Sequence, residues 1–223
     1  MKNFDTKNLK MRIPFYFIGL FIMTVGIALS VKSDLGVSPV SSIPYTITRV
    51  WGIEMGNATI IFHLALILIQ FVILAFKKEF RPQILLQIPV GIIFGKFTTF
   101  CNYLVSFIPS PENFFIRLLL SLLSCFFVAF GIFLYVPVNL IPLAGEGCMG
   151  VIAEVTKIEF AKIKIAFDCS MVLISAVTCL VVLKNLGSVG LGTIIAAFLV
   201  GLILGFMIRK FGKVRDRVLG IVE

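Results

Sequence analysis

The sequence predicts an all-α polytopic membrane protein with six transmembrane helices and two short broken helices, built from two inverted repeats. Hydrophobic residues fill 59% of the 223 positions and only 14% are charged, whereas soluble domains are about a quarter charged. Apolar stretches near the bilayer length of about 20 residues recur along the chain. The two halves also resemble each other. Continuous apolar runs, rather than alternating residues, exclude a β-barrel.

Six apolar runs are long enough to span a membrane. Their predicted bounds are 13–32, 57–76, 84–107, 117–136, 163–183 and 189–208. The first run is too long for the core of a cleavable signal peptide, so we expect a retained span. Two shorter elements are predicted near 38–51 and 142–156. Gly36 and Pro39 break the chain before the first of them, and we expect Pro44 to interrupt it again or to sit in its first turn.

The basic residues predict the orientation. Clusters near the N-terminus, at 77–81, at 157–164 and in the final RKFGKVRDR stretch each flank an apolar run. If only the long runs cross, all four clusters lie on one side, as the positive-inside rule requires. We therefore predict both termini in the cytoplasm, with the short elements re-entrant or interfacial; eight crossings are the alternative. This distribution explains the net charge of +9 without a nucleic-acid partner.

An internal repeat relates the two halves. Residues 26–63 align without a gap on 131–168, an offset of 105, with 11 identities in 38 positions. With one inserted residue the match continues at Ile88/Ile194, Gly95/Gly201 and Phe100/Phe206. We predict one membrane domain made of repeats 1–108 and 109–223. Three full spans per repeat turn the second repeat upside down, an arrangement typical of transporters and channels. Duplication within a scaffold that transports nothing is the alternative.

The two broken elements carry the first candidate site residues. Irregular backbone within a membrane lines a cavity or is buried in protein, so the hydroxyl groups of Ser38, Ser41 and Ser42 are candidates for binding a solute. Ser38 is also a candidate helix cap. In the second repeat, Glu146 aligns with Ser41. A carboxylate there could bind a cation, relay a proton or pair with an ammonium group; a surface loop and a solvated glutamate are the alternatives.

Charged and polar residues inside the predicted spans are the remaining candidates. Lys96 lies about twelve residues from either end of its span, where a lysine costs about 2.5 kcal/mol or more to insert and usually faces a cavity or a partner. We assign Lys96 and Asn102 to the solute site. His63, Asp168 and Asp34 are candidates for proton coupling, and His63 aligns with Asp168 across the repeat. Polar residues near the interface are the alternative interpretation.

No pattern typical of an enzyme, a metal site or a cofactor site is found, so we predict none of these. The five cysteines are scattered without CxxC spacing and are expected to be buried free thiols; they are Cys101, Cys125, Cys148, Cys169 and Cys179. Glycines in the last predicted span suit tight helix packing. The expected partners are the lipid bilayer, a small-molecule solute and a second copy of the chain in a homodimer.

Three stretches carry a resemblance to a known family: LGVSPVSSIPY after the first span, GEG at the start of the second broken element, and GLGTIIAAFLVG in the last span. Together they resemble the YczE/YitT-like bacterial inner-membrane proteins. The resemblance covers most of the chain and implies a location in the bacterial cytoplasmic membrane, but it implies no activity.

The sequence thus favours a secondary transporter or facilitator of a small polar solute, with its site between the repeats. An accessory protein supporting another membrane complex is the first alternative. An intramembrane enzyme acting on a lipid is the second, and it lacks an acidic cluster suited to a metal–pyrophosphate site.

Overall fold

Eight α-helices make up most of the structure, a computed structural model that describes residues 9–220. The helices are α1 (Leu9–Ser33), α2 (Pro39–Trp51), α3 (Met55–Phe76), α4 (Gln87–Ser106), α5 (Phe114–Tyr135), α6 (Ala144–Thr156), α7 (Phe160–Leu183) and α8 (Leu191–Val218). Short 3₁₀ segments, Pro82–Leu86 and Val136–Val138, precede α4 and follow α5. No β-strand occurs between residues 9 and 220. Lys2 and Lys7 of the N-terminal basic cluster, and both chain ends, lie outside the described residues.

Six of the helices are long and apolar enough to cross a membrane: α1, α3, α4, α5, α7 and α8, with α4 and α5 extended by their 3₁₀ segments. The six predicted spans are confirmed to within a few residues, apart from the end of the last one. Helix α8 continues to Val218 instead of ending near 208. Lysine and arginine are good helix formers, so the basic stretch prolongs the helix beyond its apolar part.

The two short helices, α2 and α6, have 13 residues each. At 1.5 Å per residue each is about 20 Å long, less than the roughly 30 Å hydrocarbon core of a bilayer. Pro39 is the first residue of α2. A backbone N–H group at this position would have no hydrogen-bond partner within the helix, so proline is tolerated there. Pro44 lies beyond the first turn inside α2 without ending it, so the expected interruption is wrong. Gly52, with φ of 68°, ends the helix at its C-terminus.

The order long, short, long, long occurs twice along the chain. Helix α5 begins 105 residues after α1, α6 begins 105 residues after α2, and α7 begins 105 residues after α3. Left-handed backbone recurs at aligned positions. The pairs with positive φ are Asp34 and Asn139, Gly52 and Lys157, and, after the inserted residue, Lys78 and Lys184. The two halves therefore share the starting positions of their first three helices and three of their left-handed turn positions.

Helices α1 and α5 form the largest helix–helix contact. Gly19 of α1 lies against Gly131 of α5, and Gly26 lies against Ser124 and Val128. Because positions later in α1 meet positions earlier in α5, the two helices run antiparallel. A Cβ atom at Gly26 would lie 2.8 Å from the Ser124 carbonyl oxygen, so the close approach requires glycine. Small residues at such interfaces let helix backbones pack tightly in membranes.

Each short helix packs on a long helix of the other half, α2 on α7 and α6 on α3. Ser42 of α2 contacts Ser175 of α7, and Thr46, one turn later, contacts Cys179; the two helices therefore run parallel. The starts of the short helices meet, since a Cβ atom at Gly145 would lie 3.7 Å from a Val40 methyl carbon.

The ends of several helices gather at one end of the bundle. The Arg12 side chain donates to the carbonyl of Leu219 at 3.3 Å, and Arg215 donates to the carbonyl of Phe133 at 3.0 Å. The start of α1, the end of α5 and the end of α8 therefore lie together. The predicted grouping of basic clusters requires this arrangement, and their cytoplasmic orientation stays a prediction.

Helices α7 and α8 are the most exposed of the six long helices. Only 22% of the apolar window of each is buried, compared with 39–50% for the other four. The cysteines are all free, and four are buried as predicted. The prediction is wrong for Cys169, which is exposed because it lies on the uncovered side of α7.

Candidate functional site

A cavity of about 260 Å³ lies between α6 and the segment that leads into α4. Its walls come from the end of α3, the 3₁₀ segment, the start of α4, the loop before α6 and α6 itself. The lining residues include Gln70, Gln83, Gln87, Ile141, Pro142, Glu146, Gly147, Gly150 and Val151. The size suits a small solute, since pockets for drug-sized ligands measure about 300–1,000 Å³.

Two buried glutamines form one wall of the cavity. Gln70 Nε2 donates to Gln87 Oε1 at 2.9 Å, and Gln87 Nε2 donates back to Gln70 Oε1 at 3.1 Å. Gln70 also donates to the carbonyl of Ala144 at 3.3 Å, which ties α3 to the start of α6. The side chain of Gln70 is fully buried. Because buried polar groups need partners, this pair fixes α3, α4 and α6 relative to one another.

Glycine lets α6 approach that pair closely. A Cβ atom at Gly147 would lie 2.9 Å from Gln70 Oε1 and would also overlap the Gln87 amide. Glu146, the preceding residue, is half-buried in the first turn of α6 and lines the cavity. Its carboxylate forms no ion pair with any residue between 9 and 220. A carboxylate at a helix N-terminus is stabilised by the helix dipole, so Glu146 is placed to meet a polar ligand.

An ion pair stands at the rim of the cavity. Arg81 donates to both carboxylate oxygens of Glu154, at 2.7 and 2.6 Å, and also pairs with Glu79. Hydrogen bonds from Arg81 hold the pKa of Glu154 below its usual range, and the two carboxylates raise the pKa of Arg81. Bidentate pairs of this kind are the strongest surface ion pairs. The pair connects the loop after α3 to α6.

The aligned region beside α2 is closed instead of open. Ser175 Oγ donates to Ser42 Oγ at 2.9 Å, and the hydroxyl groups of Thr46 and Ser188 lie 2.6 Å apart. The amide of Gly192 donates to the carbonyl of Leu35 at 2.7 Å. In the predicted alignment Ser42 corresponds to Gly147, and the same offset of 105 continued along α3 and α7 places Ser175 opposite Gln70. Both Gly147 and Gln70 line the cavity. We name Ser42, Thr46, Ser175 and Ser188 the hydroxyl cluster.

A second, more open cavity of about 400 Å³ lies at the other end of the bundle and is lined by Asp34 and Asn102. Asp34 pairs with Arg117 at 3.1 Å and with Arg49 at 3.6 Å. Asn102 donates to the carbonyl of Thr98 at 2.9 Å within its own helix. Asp34 thus holds the loop after α1 to two arginines and does not lie with Glu146.

The other two candidates for proton coupling lie apart from the cavity. His63 is buried between α3 and α4, with its ring stacked on Phe94 at 5.6 Å, and its Nδ1 has no hydrogen-bond partner. Asp168 forms an ion pair with Lys164 at 2.6 Å, and its second oxygen is buried without a hydrogen-bond partner. The two aligned residues therefore occupy different surroundings.

The remaining predicted residues divide between buried and exposed positions. Ser38 is the N-cap residue of α2, but its side chain makes no capping bond and donates to Ser41 Oγ at 3.1 Å. Ser41 and Ser42 are buried. Lys96 is exposed on the outer side of α4 and lines neither cavity. The structure therefore does not bring Lys96 together with Glu146.

The glutamine pair was not predicted from the sequence. Both glutamines lie inside predicted spans, Gln70 in LIQFV and Gln87 in LLQIP. Polar residues within spans are themselves a signal of function, and this signal could have found them. Among residues 9–220, no group of three His, Cys, Asp or Glu side chains is arranged to hold a metal ion.

The fold and the six long apolar helices define an integral membrane protein, with a lipid bilayer as its surroundings. The chain belongs to a family of unknown function (DUF6198), whose family model matches residues 10–209. It is 25% identical over 202 residues to "Uncharacterized membrane protein YczE" of Bacillus subtilis (strain 168), covering 90% of this chain and 86% of that protein. The predicted resemblance to YczE-like membrane proteins is confirmed. No solved structure matches the chain.

Proposed function

We propose that the protein is a secondary transporter or facilitator that carries a small polar solute across the membrane. One observation carries the proposal. A cavity lined by Gln70, Gln87 and Glu146 is open beside α6, whereas hydrogen bonds close the aligned region beside α2. An access route that is open on one side and closed on the other is what alternating access requires.

The proposal includes the inverted orientation of the two repeats. The antiparallel contact of α1 with α5, shown by Gly19 against Gly131 and Gly26 against Ser124, supports it, because these are the first helices of the two repeats. The pairing of α2 with α7 and of α6 with α3 is reciprocal, as a two-fold relation requires. Parallel repeats would place their first helices in the same direction.

The proposal also treats α2 and α6 as re-entrant helices. Each is too short to cross, and each begins where the other begins, at Val40 and Gly145. Their N-termini then lie inside the bilayer, with the positive ends of both helix dipoles facing each other. Glu146 supplies a negative charge at this point. The two helix N-termini together suit a polar group of the solute. The part of the solute near Glu146 should donate hydrogen bonds or carry positive charge.

The test is a thermal-shift screen of purified protein against a library of small metabolites and vitamins, since a ligand that binds the folded state raises its melting temperature. We expect a solute that stabilises the wild type and fails to stabilise Glu146→Gln. Lys96→Met is the matched control, because Lys96 lines neither cavity, and it should keep the shift. The identified solute should then enter proteoliposomes faster than it enters empty vesicles; equal rates would refute transport.

One observation favours the accessory role as a second candidate function. Lys96 is exposed about 15 Å, ten residues, from the end of α4 at Ser106, and it forms no ion pair within residues 9–220. An unpaired lysine in the middle of a span favours an acidic residue in the membrane helix of another protein. Stoichiometric co-purification of one such protein, lost in Lys96→Met and accompanied by no hit in the solute screen, would support this role over transport.

A further inference from the structure

The two helix hairpins that should correspond to each other are packed differently. Helix α3 packs tightly on α4. Gly56 approaches the backbone of Gly95, and a Cβ atom at Gly95 would overlap the side chain of Ile60. In the alignment, Ile60 corresponds to Ile165 and Gly95 to Gly201. Ile165 is 65% exposed, and a Cβ atom at Gly201 would meet nothing within 4 Å. The α7–α8 hairpin is therefore open where the α3–α4 hairpin is closed.

The open hairpin and the open cavity lie towards the same end of the bundle. Ile165 lies in the second turn of α7, near the end of α6 and the rim pair of Arg81 and Glu154. The closed α3–α4 contact at Gly56 lies at the opposite end, as does the hydroxyl cluster. The cavity beside α6 and the open hairpin thus lie towards one end of the bundle, and the hydroxyl cluster and the closed hairpin contact lie towards the other.

We propose that the hydroxyl cluster of Ser42, Thr46, Ser175 and Ser188 is the second half of the solute site, closed in this structure. It opens when the two repeats exchange their packing, so that Ile165 closes over Gly201 while Ile60 leaves Gly95. This inference rests on the proposed function. It adds the position of the second access route and the residues that close it.

The chemistry of the cluster agrees with this role. Hydroxyl groups both donate and accept hydrogen bonds, so the cluster suits the uncharged polar groups of a small solute. Opening exchanges the two hydroxyl–hydroxyl bonds for bonds to water or solute, and such an exchange changes the stability only slightly. The contact of Ile60 with Gly95 and the expected contact of Ile165 with Gly201 use corresponding residues of the two repeats. The two hairpins can therefore alternate between two discrete arrangements.

The first test is a disulfide between positions that the structure holds apart. Ile165→Cys and Gly201→Cys are combined in a chain whose two native α7 cysteines, Cys169 and Cys179, are serine. We expect copper phenanthroline to cross-link this pair in native membranes, measured as a gel shift after cleavage at a protease site placed at Lys184 and Asn185, ahead of Ser188. Ile165→Cys with Ile203→Cys is the matched control, since Ile203 lies on the opposite side of α8 from Gly201 and packs against the cluster around Phe133 of α5. Equal cross-linking of both pairs, or of neither, would overturn the proposal.

The second test asks whether the two ends of the bundle are coupled. In the same background, Ser42→Cys with Ser175→Cys should cross-link readily, because the two hydroxyl oxygens are 2.9 Å apart. The 42–175 disulfide is formed first, and the 165–201 pair is oxidised afterwards. The first disulfide should reduce the yield of the 165–201 cross-link at least tenfold. An unchanged yield would mean that α7 and α8 move independently of the hydroxyl cluster, and the proposal would be wrong.

A third variant keeps the test valid if the serine pair fails to fold. Thr46→Val weakens the closed cluster by removing the 2.6 Å contact of Ser188, which leaves Ser188 only its longer contact with position 179. The 165–201 cross-link should then form faster; a slower or equal rate would contradict the proposal. These measurements need no solute. A coupled exchange found without any transported solute would refute the proposed function and, with it, the role of the cluster in a solute site. Transport without the exchange would refute this inference and leave the proposed function intact.

Discussion

The glutamine pair allows a prediction whose size follows from the structure. Gln87→Leu removes both reciprocal hydrogen bonds, of 2.9 and 3.1 Å. Gln70 keeps its contacts with the carbonyls of Leu66 and Ala144, but its Oε1 atom is left buried without a donor. Leaving one buried acceptor unsatisfied costs about 1–3 kcal/mol. We therefore expect Gln87→Leu to lower the free energy of unfolding by about that amount.

The double variant separates this penalty from the value of the bonds themselves. Gln70→Leu with Gln87→Leu removes both polar groups and keeps similar volumes, so its cost should lie well below the sum of the two single costs. Interhelical hydrogen bonds in membranes average only about 0.6 kcal/mol. The assay is a double-mutant cycle from SDS-induced unfolding in mixed micelles.

Two outcomes would contradict this account. Additive costs would mean that the two amides are not coupled. A double variant that folds and still binds the solute found in the screen would mean that the pair does not belong to the solute site. We expect a folded double variant that has lost the solute-induced thermal shift.

Further predictions concern packing and the rim. Gly56→Ala should destabilise the protein by about 1–3 kcal/mol through overpacking against Gly95, whereas Gly201→Ala, whose new methyl group meets nothing, should be nearly neutral in the same SDS assay. Arg81 lowers the pKa of Glu154, so their pairing stabilises the fold above the ordinary carboxylate pKa and is lost as the pH falls through the lowered value. Arg81→Gln should remove that pH dependence. Because the pair is exposed, only a small change in thermal stability is expected. A profile of melting temperature against pH that is identical in Arg81→Gln and the wild type would contradict the pairing of Arg81 with Glu154.

Much of the fold could be predicted because it follows from local sequence. Apolar length determines a membrane span, and Pro39 and Gly52 mark the ends of α2. The repeat was visible because aligned positions need the same backbone, as Asp34 and Asn139 do with their positive φ. Glu146, which lines the cavity, could be selected as a candidate because a carboxylate in an apolar segment is unusual.

Other parts of the site depend on which face of a helix is covered. The sequence determined the six spans, the two short helices and the polar residues they carry, because length, hydropathy and helix breakers act locally. Only the tertiary structure decided that Gln70 meets Gln87, that Ser42 meets Ser175, and that Lys96 faces outward. These are contacts between residues 17 to 133 positions apart, or exposures set by neighbouring helices. A lysine in the middle of a span has the same sequence environment on either side of its helix, and the packing partner alone determines whether it lines a cavity.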